Sequence, residues 1–405
     1  MAFTRNPSDL TVSPATYKAD GSSDLIIGDQ PTNIQIDGSE EKDTIEISTR
    51  GLAASSLTNY SVRAFDGKDI VTVTSNVVTN SEINGNKGDD SMFLNEASLQ
   101  NSYLLGGAGN DTITITNVGT GEVNGNKGND TINVFGGTNT IGAQIRGGQD
   151  NDTINVYGDV VDSTFYGDLG NDLLAIEDGF YGTSSAFGGD GIDTITHTAF
   201  VGSLVMDGGA GNDRITGSST LGNTYIGGEG NDIITAGAID ATETSTFDGG
   251  VGGDTITGAN NGGVNTYIFD AGDGVAANSG GYPAKTGANG AVITWDGNSG
   301  APDVINGFST ANDKIDGDVT GSPTQVNSGG AGGGNPLTLA TDEIYLLIGN
   351  YNAGNTTFTA DLANGKDAIV LMGGDGLNTA NIFTTSDDMF IMTGVGRGLT
   401  AANFV

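Results

Sequence analysis

Short runs of β-branched residues alternating with polar ones recur through the middle of the chain. They read "DTITI" at 111–115, "DTINV" at 130–134 and 152–156, "DTITH" at 193–197, "DRITG" at 213–217, "DIITA" at 232–236 and "DTITG" at 254–258. Period-two alternation is the mark of a strand with one buried face. A second alternation precedes each following glycine: "EVNG", "AQIRG", "TFYG", "SAFGG", "TYIGG" and "STFDGG". The first set predicts Ile113, Ile132, Ile154, Ile195, Ile215, Ile234 and Ile256 stacked along one inner wall. The second predicts Val123, Ile145, Phe165, Phe187, Met206, Ile226 and Phe247 along the other. Two strands and two turns in about 20 residues make one coil of a solenoid, so the expected fold is all-β, a parallel β-solenoid.

The turn joining the two alternations is the most regular feature. Its core is G-G-x-G-x-D, as in "GGAGND" with Gly106, Gly107, Gly109 and Asp111. Complete copies follow at Gly188, Gly189, Gly191 and Asp193; at Gly208, Gly209, Gly211 and Asp213; at Gly227, Gly228, Gly230 and Asp232; and at Gly249, Gly250, Gly252 and Asp254. Altered copies hold Asp90; Gly125, Gly128 and Asp130; Gly147 and Asp152; and Gly167, Gly170 and Asp172. In these, Asn86, Asn126 and Asp168 stand at the second position and Asp150 at the fourth. Weaker relatives lie upstream at Asp43, in "GSEEKD", and at Asp69, in "FDGKD". Glycines let a backbone turn with its carbonyls facing inward, and the aspartate adds a carboxylate. Oxygen-only ligation of this mixed kind suits Ca²⁺. One loop offers too few oxygens, so stacked loops are expected to share each ion, with multiple Ca²⁺ ions along one edge.

Composition supports the need for cations. The chain has 69 glycines, no cysteine, and 14 basic against 50 acidic residues, a net charge of −36. Such repulsion opposes compaction and argues against nucleic acid or an anionic membrane as partner. Without cysteine, disulfides and thiolate metal sites are excluded. No apolar run approaches the ~20 residues of a transmembrane span, and the first residues lack the apolar core of a cleavable signal peptide. Catalytic motifs are missing too: there is no H-E-x-x-H, no G-x-S-x-G and no phosphate-binding loop, and the single histidine, His197, lies in a repeat strand. The lone Trp295 reads as loop packing. No enzyme is expected.

G-G-x-G-x-D-x-U-x, with U an apolar residue, is the repeat of RTX calcium-binding proteins, and the chain resembles their β-rolls over roughly residues 80–260. It departs from them in keeping one motif-bearing turn per coil, since "NVGTG", "GDVVDST" and "GSSTLG" on the opposite side do not match. The resemblance implies an organisation of four parts. These are an N-terminal segment at 1–20, a calcium-binding solenoid at 21–275, Gly-rich loops with a repeat-trailing segment at 276–340, and a C-terminal β cap at 341–405. The segments "NTYIFDAGDG" and "DVINGFSTANDKIDG" resemble those that follow such repeats, and "DEIYLLIG", "TTFTADL" and "KDAIVLMGG" read as strands of the cap. The ending "GLTAANFV" resembles a type I export signal, which implies an extracellular, cell-surface location and the type I secretion machinery as a partner. The plan as a whole resembles bacterial surface-layer and surface-fibre proteins, which implies self-association into a lattice or filament. The alternative is a calcium-stabilised adhesin, binding a surface or cell-surface polysaccharide through outward rows such as Thr112/Thr114, Thr131/Asn133 and Thr153/Asn155; ice binding fits these irregular rows less well.

Overall fold

In the computed structural model the chain forms two compact units, residues 1–205 and 206–405. The structure describes residues 32–48, 56–135, 142–177, 184–198, 204–217, 222–237, 242–258 and 263–269, together with short strands outside or between these. Those are 3–4, 15–18, 24–28, 180–181, 292–294, 303–306, 314–317, 325–328, 343–352, 357–360, 367–372 and 388–393, with Asn403. Both units are all-β, with strands stacked in parallel at roughly 21 residues per turn.

In the first unit one inner wall is the column Ile45, Val71, Met92, Ile113, Ile132, Ile154, Leu174 and Ile195, each in direct register with the next. All are fully buried. The facing wall runs Val62, Ile83, Leu104, Val123, Ile145, Phe165 and Ala186. A third apolar column, Leu57, Val78, Leu99 and Val118, closes the far side. Removing such side chains from water is the main apolar contribution here, at about 25 cal/mol per Å². Because each coil contributes only a few of them, the interior is thin.

The facing wall corrects the expectation at two positions. Ala186, not Phe187, is the buried residue, and in the second unit Tyr225, not Ile226, is buried. The inward position always lies two residues before the first glycine, as at Leu104 before Gly106 and Val123 before Gly125. Choosing the more apolar neighbour breaks that alternation. Phe187 instead stacks outside on Tyr166, ring centroids 5.3 Å apart, and the Arg146 guanidinium lies 4.1 Å from the Tyr166 ring centre.

The second unit repeats the plan with a different filling. Ile215, Ile234, Ile256 and Ile305 form one column. Opposite them Tyr225, Phe247 and Tyr267 stack at 4.9 and 5.1 Å. These long side chains reach across the interior: a Cβ on Gly217 would collide with the Tyr225 hydroxyl and one on Gly258 with that of Tyr267. Strand Asp303–Asn306 pairs in parallel with Thr255–Thr257, so the stacking continues into the stretch read as Gly-rich loops. It then meets Asp388–Met392, which also pairs antiparallel with Asp367–Met372. Glu343–Asn352 and Thr357–Ala360 extend this antiparallel sheet. At the other end, Phe3–Thr4 and Ala15–Lys18 already pair in parallel with Asp24–Gly28 and Thr32–Ser39, so stacking begins before residue 21. Trp295 and "GLTAANFV", Asn403 excepted, lie outside the described residues.

Candidate metal-binding edge

The motif aspartates point into the solenoid and stack along one edge of each unit. Asp43, Asp69, Asp90, Asp111, Asp130, Asp152, Asp172 and Asp193 in the first, and Asp213, Asp232, Asp254 and Asp303 in the second, are no more than 3 % exposed. Asp111 shows how each polar group is used. Its N–H donates to Asp130 Oδ1 at 2.7 Å, and its carbonyl accepts the Thr131 N–H at 2.8 Å. Its Oδ1 accepts the Asp90 N–H at 2.8 Å. The same N–H to Oδ1 link joins Asp43 to Asp69 and continues coil by coil to Asp193; in the second unit it runs from Asp213 to Asp303.

Oδ2 is left over. On Asp69, Asp90, Asp111, Asp130, Asp152, Asp172 and Asp232 it is buried and has no hydrogen-bond partner. It faces the first motif glycine, where a Cβ on Gly106 would lie 2.5 Å from Asp111 Oδ2 and 2.7 Å from the Gly125 carbonyl oxygen. Gly147 and Gly208 repeat the arrangement with Asp152 and the Gly167 carbonyl, and with Asp213 and the Gly227 carbonyl. Gly85, Gly125, Gly167 and Gly227 do the same, and Gly249 faces Asp254 Oδ2. Strand pairing skips these glycines, stepping from Leu105–Asn124 to Gly107–Asn126. A carboxylate oxygen of one coil and a carbonyl oxygen of the next thus face the same small space with no donor between them. Burial is the first cause pushing the carboxyls up, to about 6 at Asp90 and Asp172, about 7 at Asp69, Asp130 and Asp232, and about 8 at Asp111 and Asp152. Neighbouring aspartates add to the rise in most of them, while the N–H bond opposes it.

The other glycines set the turn. Second-position Gly107, Gly189, Gly209, Gly228 and Gly250 have φ between 81 and 119°. Fourth-position Gly109, Gly128, Gly170, Gly191, Gly211, Gly230 and Gly252 lie between 109 and 153°. Asn86, Asn126 and Asp168 at the second position, and Asp150 at the fourth, stand at 75–77°, the left-handed conformation that Asn and Asp tolerate best after glycine. The altered copies therefore keep a positive φ at the substituted position.

Two further ladders escaped the sequence reading. The fifth-position side chain is itself a rung: Asn110 Oδ1 accepts the Asn129 N–H at 2.8 Å, Asn129 that of Asn151, and Asn151 that of Asn171. It reaches opposite to the aspartates, so the Asn-Asp step ties each coil to both neighbours. At the other edge, Ser81 Oγ accepts the Tyr60 N–H, Ser102 that of Ser81, Ser163 that of Ala143 and Ser184 that of Ser163. Asn59, Asn80, Asn101 and Asp162 turn the chain there with φ of 47–57°. The readable signal was a small or polar residue two places before most inward wall residues, as with Ser81 before Ile83 and Ser102 before Leu104.

An oxygen-seeking divalent cation fits this edge. The orphaned Oδ2 atoms, the carbonyls facing them and the absence of competing donors are what such an ion requires. Among the described residues no three acidic or histidine side chains form a metal-holding group, so an ion would be held by one carboxylate per coil and by backbone oxygens. His197 is not part of it: it is fully buried in register with Ile176, and burial pushes its pKa down to about 4. Among the described residues no helix is long and apolar enough to cross a membrane. No family model matches the sequence, and no match is found among curated proteins.

Proposed function

We propose that this chain is a secreted, calcium-loaded structural protein whose acidic coils are held together by shared ions and which assembles into an extracellular surface layer or filament. The observation that carries the metal reading is the row of buried, unpartnered Oδ2 atoms facing carbonyl oxygens. An unpaired buried charge is costly, and a bridging cation offsets that cost at every coil. The −36 net charge requires counter-ions on the same scale. Extracellular calcium is in the range of weak sites, so a site that exists only in the folded coil couples binding to folding after export. The assembly and export parts rest on the likeness of the motif and of the terminal segments to RTX proteins. The reading includes no catalytic role.

Circular dichroism and sedimentation of the full chain, with EGTA and then with excess calcium, test it. Loss of β signal with EGTA and large assemblies with calcium are expected. A chain that stays fully β-structured in EGTA would overturn the metal reading, and a calcium-loaded monomer at every concentration would overturn the assembly reading.

The outward rows favour the second reading, an adhesin. Thr112, Thr131 and Thr153 are in register, as are Thr114, Asn133 and Asn155, with Asn155 donating to Asn133 at 3.0 Å. Leu173 and Ala175 interrupt both rows. Binding of the calcium-loaded monomer to a glycan array would favour this reading over assembly.

A further inference from the structure

Among the described residues the exposed large apolar side chains are Tyr103, Phe135, Leu169, Leu173, Ile192, Ile233 and Val251. All but the two aromatic ones flank motif aspartates, and they fall in two groups, one in each unit. In the first unit Leu169 and Leu173 belong to the Asp172 coil and Ile192 to the Asp193 coil that follows; they are 47, 37 and 57 % exposed. In the second, Ile233 follows Asp232 and Val251 stands in the next turn, 45 and 56 % exposed.

Each of these is apolar where a neighbouring coil is polar. Leu173 lies in register with Thr153 and Thr194, and Ile233 with Thr255. Leu169 is in register with Gln149 and Asp190, and Val251 with Glu229. Ile192 takes the place of a ladder asparagine: its N–H still donates to Asn171 Oδ1 at 2.7 Å, but it carries no acceptor of its own. Exposed aliphatic side chains gathered in successive coils of so acidic a protein mark a contact site. The two groups also differ in charge. Asp190 is exposed beside Leu169 and Arg214 is exposed in register with Ile233, and neither has an ion-pair partner among the described residues. Glu229 is the exposed acid of the second group.

We propose that the first group receives the second group of another copy of this chain, with Leu169, Leu173 and Ile192 against Ile233 and Val251 of the neighbouring copy, and Asp190 against its Arg214. This rests on the calcium and assembly readings above and gives the assembly its contact surface. Two unlike surfaces on one chain leave one free at each end of a pair, so copies can be added in series, unlike a two-fold dimer. The apolar side chains supply the affinity, while the exposed charge pair, weak in itself, selects the orientation. Because these residues border the aspartates, the surfaces take shape only when the edge is ordered. Bound cations also remove the repulsion that would hold two acidic edges apart.

The test is sedimentation velocity and electron microscopy of the full chain in excess calcium, over a range of concentrations. Leu173→Thr combined with Ile192→Asn installs the residues of neighbouring coils. Circular dichroism in calcium should therefore be unchanged, while the concentration needed for assembly rises about tenfold or more. Ile233→Thr should act the same way. Asp190→Arg and Arg214→Asp should each raise that concentration, and the two together should bring it back towards the wild-type value, which a merely structural effect would not do. Assembly of L173T/I192N at the wild-type concentration would overturn the apolar contact. Failure of the combined charge exchange to recover would overturn the pairing of unlike surfaces. If L173T/I192N assembled normally but lost binding to a glycan array, the surface would belong to a polysaccharide instead. A wild-type chain that stays monomeric in calcium would overturn the assembly reading itself.

Discussion

Replacing Asp111 by asparagine isolates the orphaned oxygen, because only one atom changes character. Oδ1 can still accept the Asp90 N–H at 2.8 Å. The new amide nitrogen faces the Gly125 carbonyl, where the wild type sets two acceptors against each other. In EGTA at pH 8.5, Asp111→Asn therefore gains a hydrogen bond and sheds a buried charge that burial has pushed up to about 8. A net buried hydrogen bond is worth about 1 kcal/mol, and part of the burial penalty adds to it, so a gain of about 1–3 kcal/mol is expected. In excess calcium the sign reverses. A ligand at a hundredfold excess over its Kd contributes about 2.7 kcal/mol, and the variant forfeits much of that at the shared sites. Asp111→Ala should be destabilised under both conditions, since it strands the Asp90 N–H. Urea unfolding in calcium and the residual β signal in EGTA, both followed by circular dichroism, rank the three chains, and titration calorimetry counts the ions. If Asp111→Asn is as destabilised as Asp111→Ala in EGTA, or takes up as much calcium as the wild type, the account of Oδ2 is wrong.

Without calcium, order in the repeats should fall as pH rises. The folded carboxyls are raised, so the folded state holds more protons than the unfolded one, whose carboxyls titrate near pH 4. The proton-linked stability is fully present below that value and is lost as pH rises through about 6 to 8; circular dichroism in EGTA at pH 5 and pH 8.5 should show it, and a flat profile would contradict the shifts. A Cβ on Gly107 would meet the Asn86 carbonyl oxygen at 2.2 Å, so both Gly107→Asn and Gly107→Val should lower the melting temperature, Asn less because it can shift to the φ of 77° held by Asn86 and Asn126; equal melting temperatures would refute the role given to the left-handed turn. Asn129→Ala removes the acceptor of the Asn151 N–H and should cost about 0.5–1.5 kcal/mol in thermal melts, being solvent-exposed. Ser163→Ala, on the opposite edge, strands the buried Ala143 N–H and should cost more, about 1–3 kcal/mol, yet leave the calcium stoichiometry unchanged.

The isoleucine wall and the aspartate edge were legible because each is fixed by a strict period that survives substitution. Phe187 and Ile226 were misplaced because apolar character was weighed above parity: one residue of slip moves a side chain from core to solvent. The serine edge was missed because its rungs vary among Ser, Ala and Asn, and the backbone geometry rather than a motif makes them equivalent. Asp303 was missed for another reason. It lies 49 residues beyond Asp254 and so falls outside any short repeat, yet it accepts the Asp254 N–H at 2.8 Å.

That last rung separates two jobs that coincide in the other turns. Between Phe269 and Asp303 the six-residue glycine turn is gone, yet Val304 and Ile305 come back opposite Thr255 and Ile256. Seating depends on the aspartate and the isoleucine two places after it, while the turn sets how far the chain travels between seatings and supplies the carbonyls that face Oδ2. A foreign peptide grafted into this interval would be carried as a side branch, leaving the stack beneath it in step.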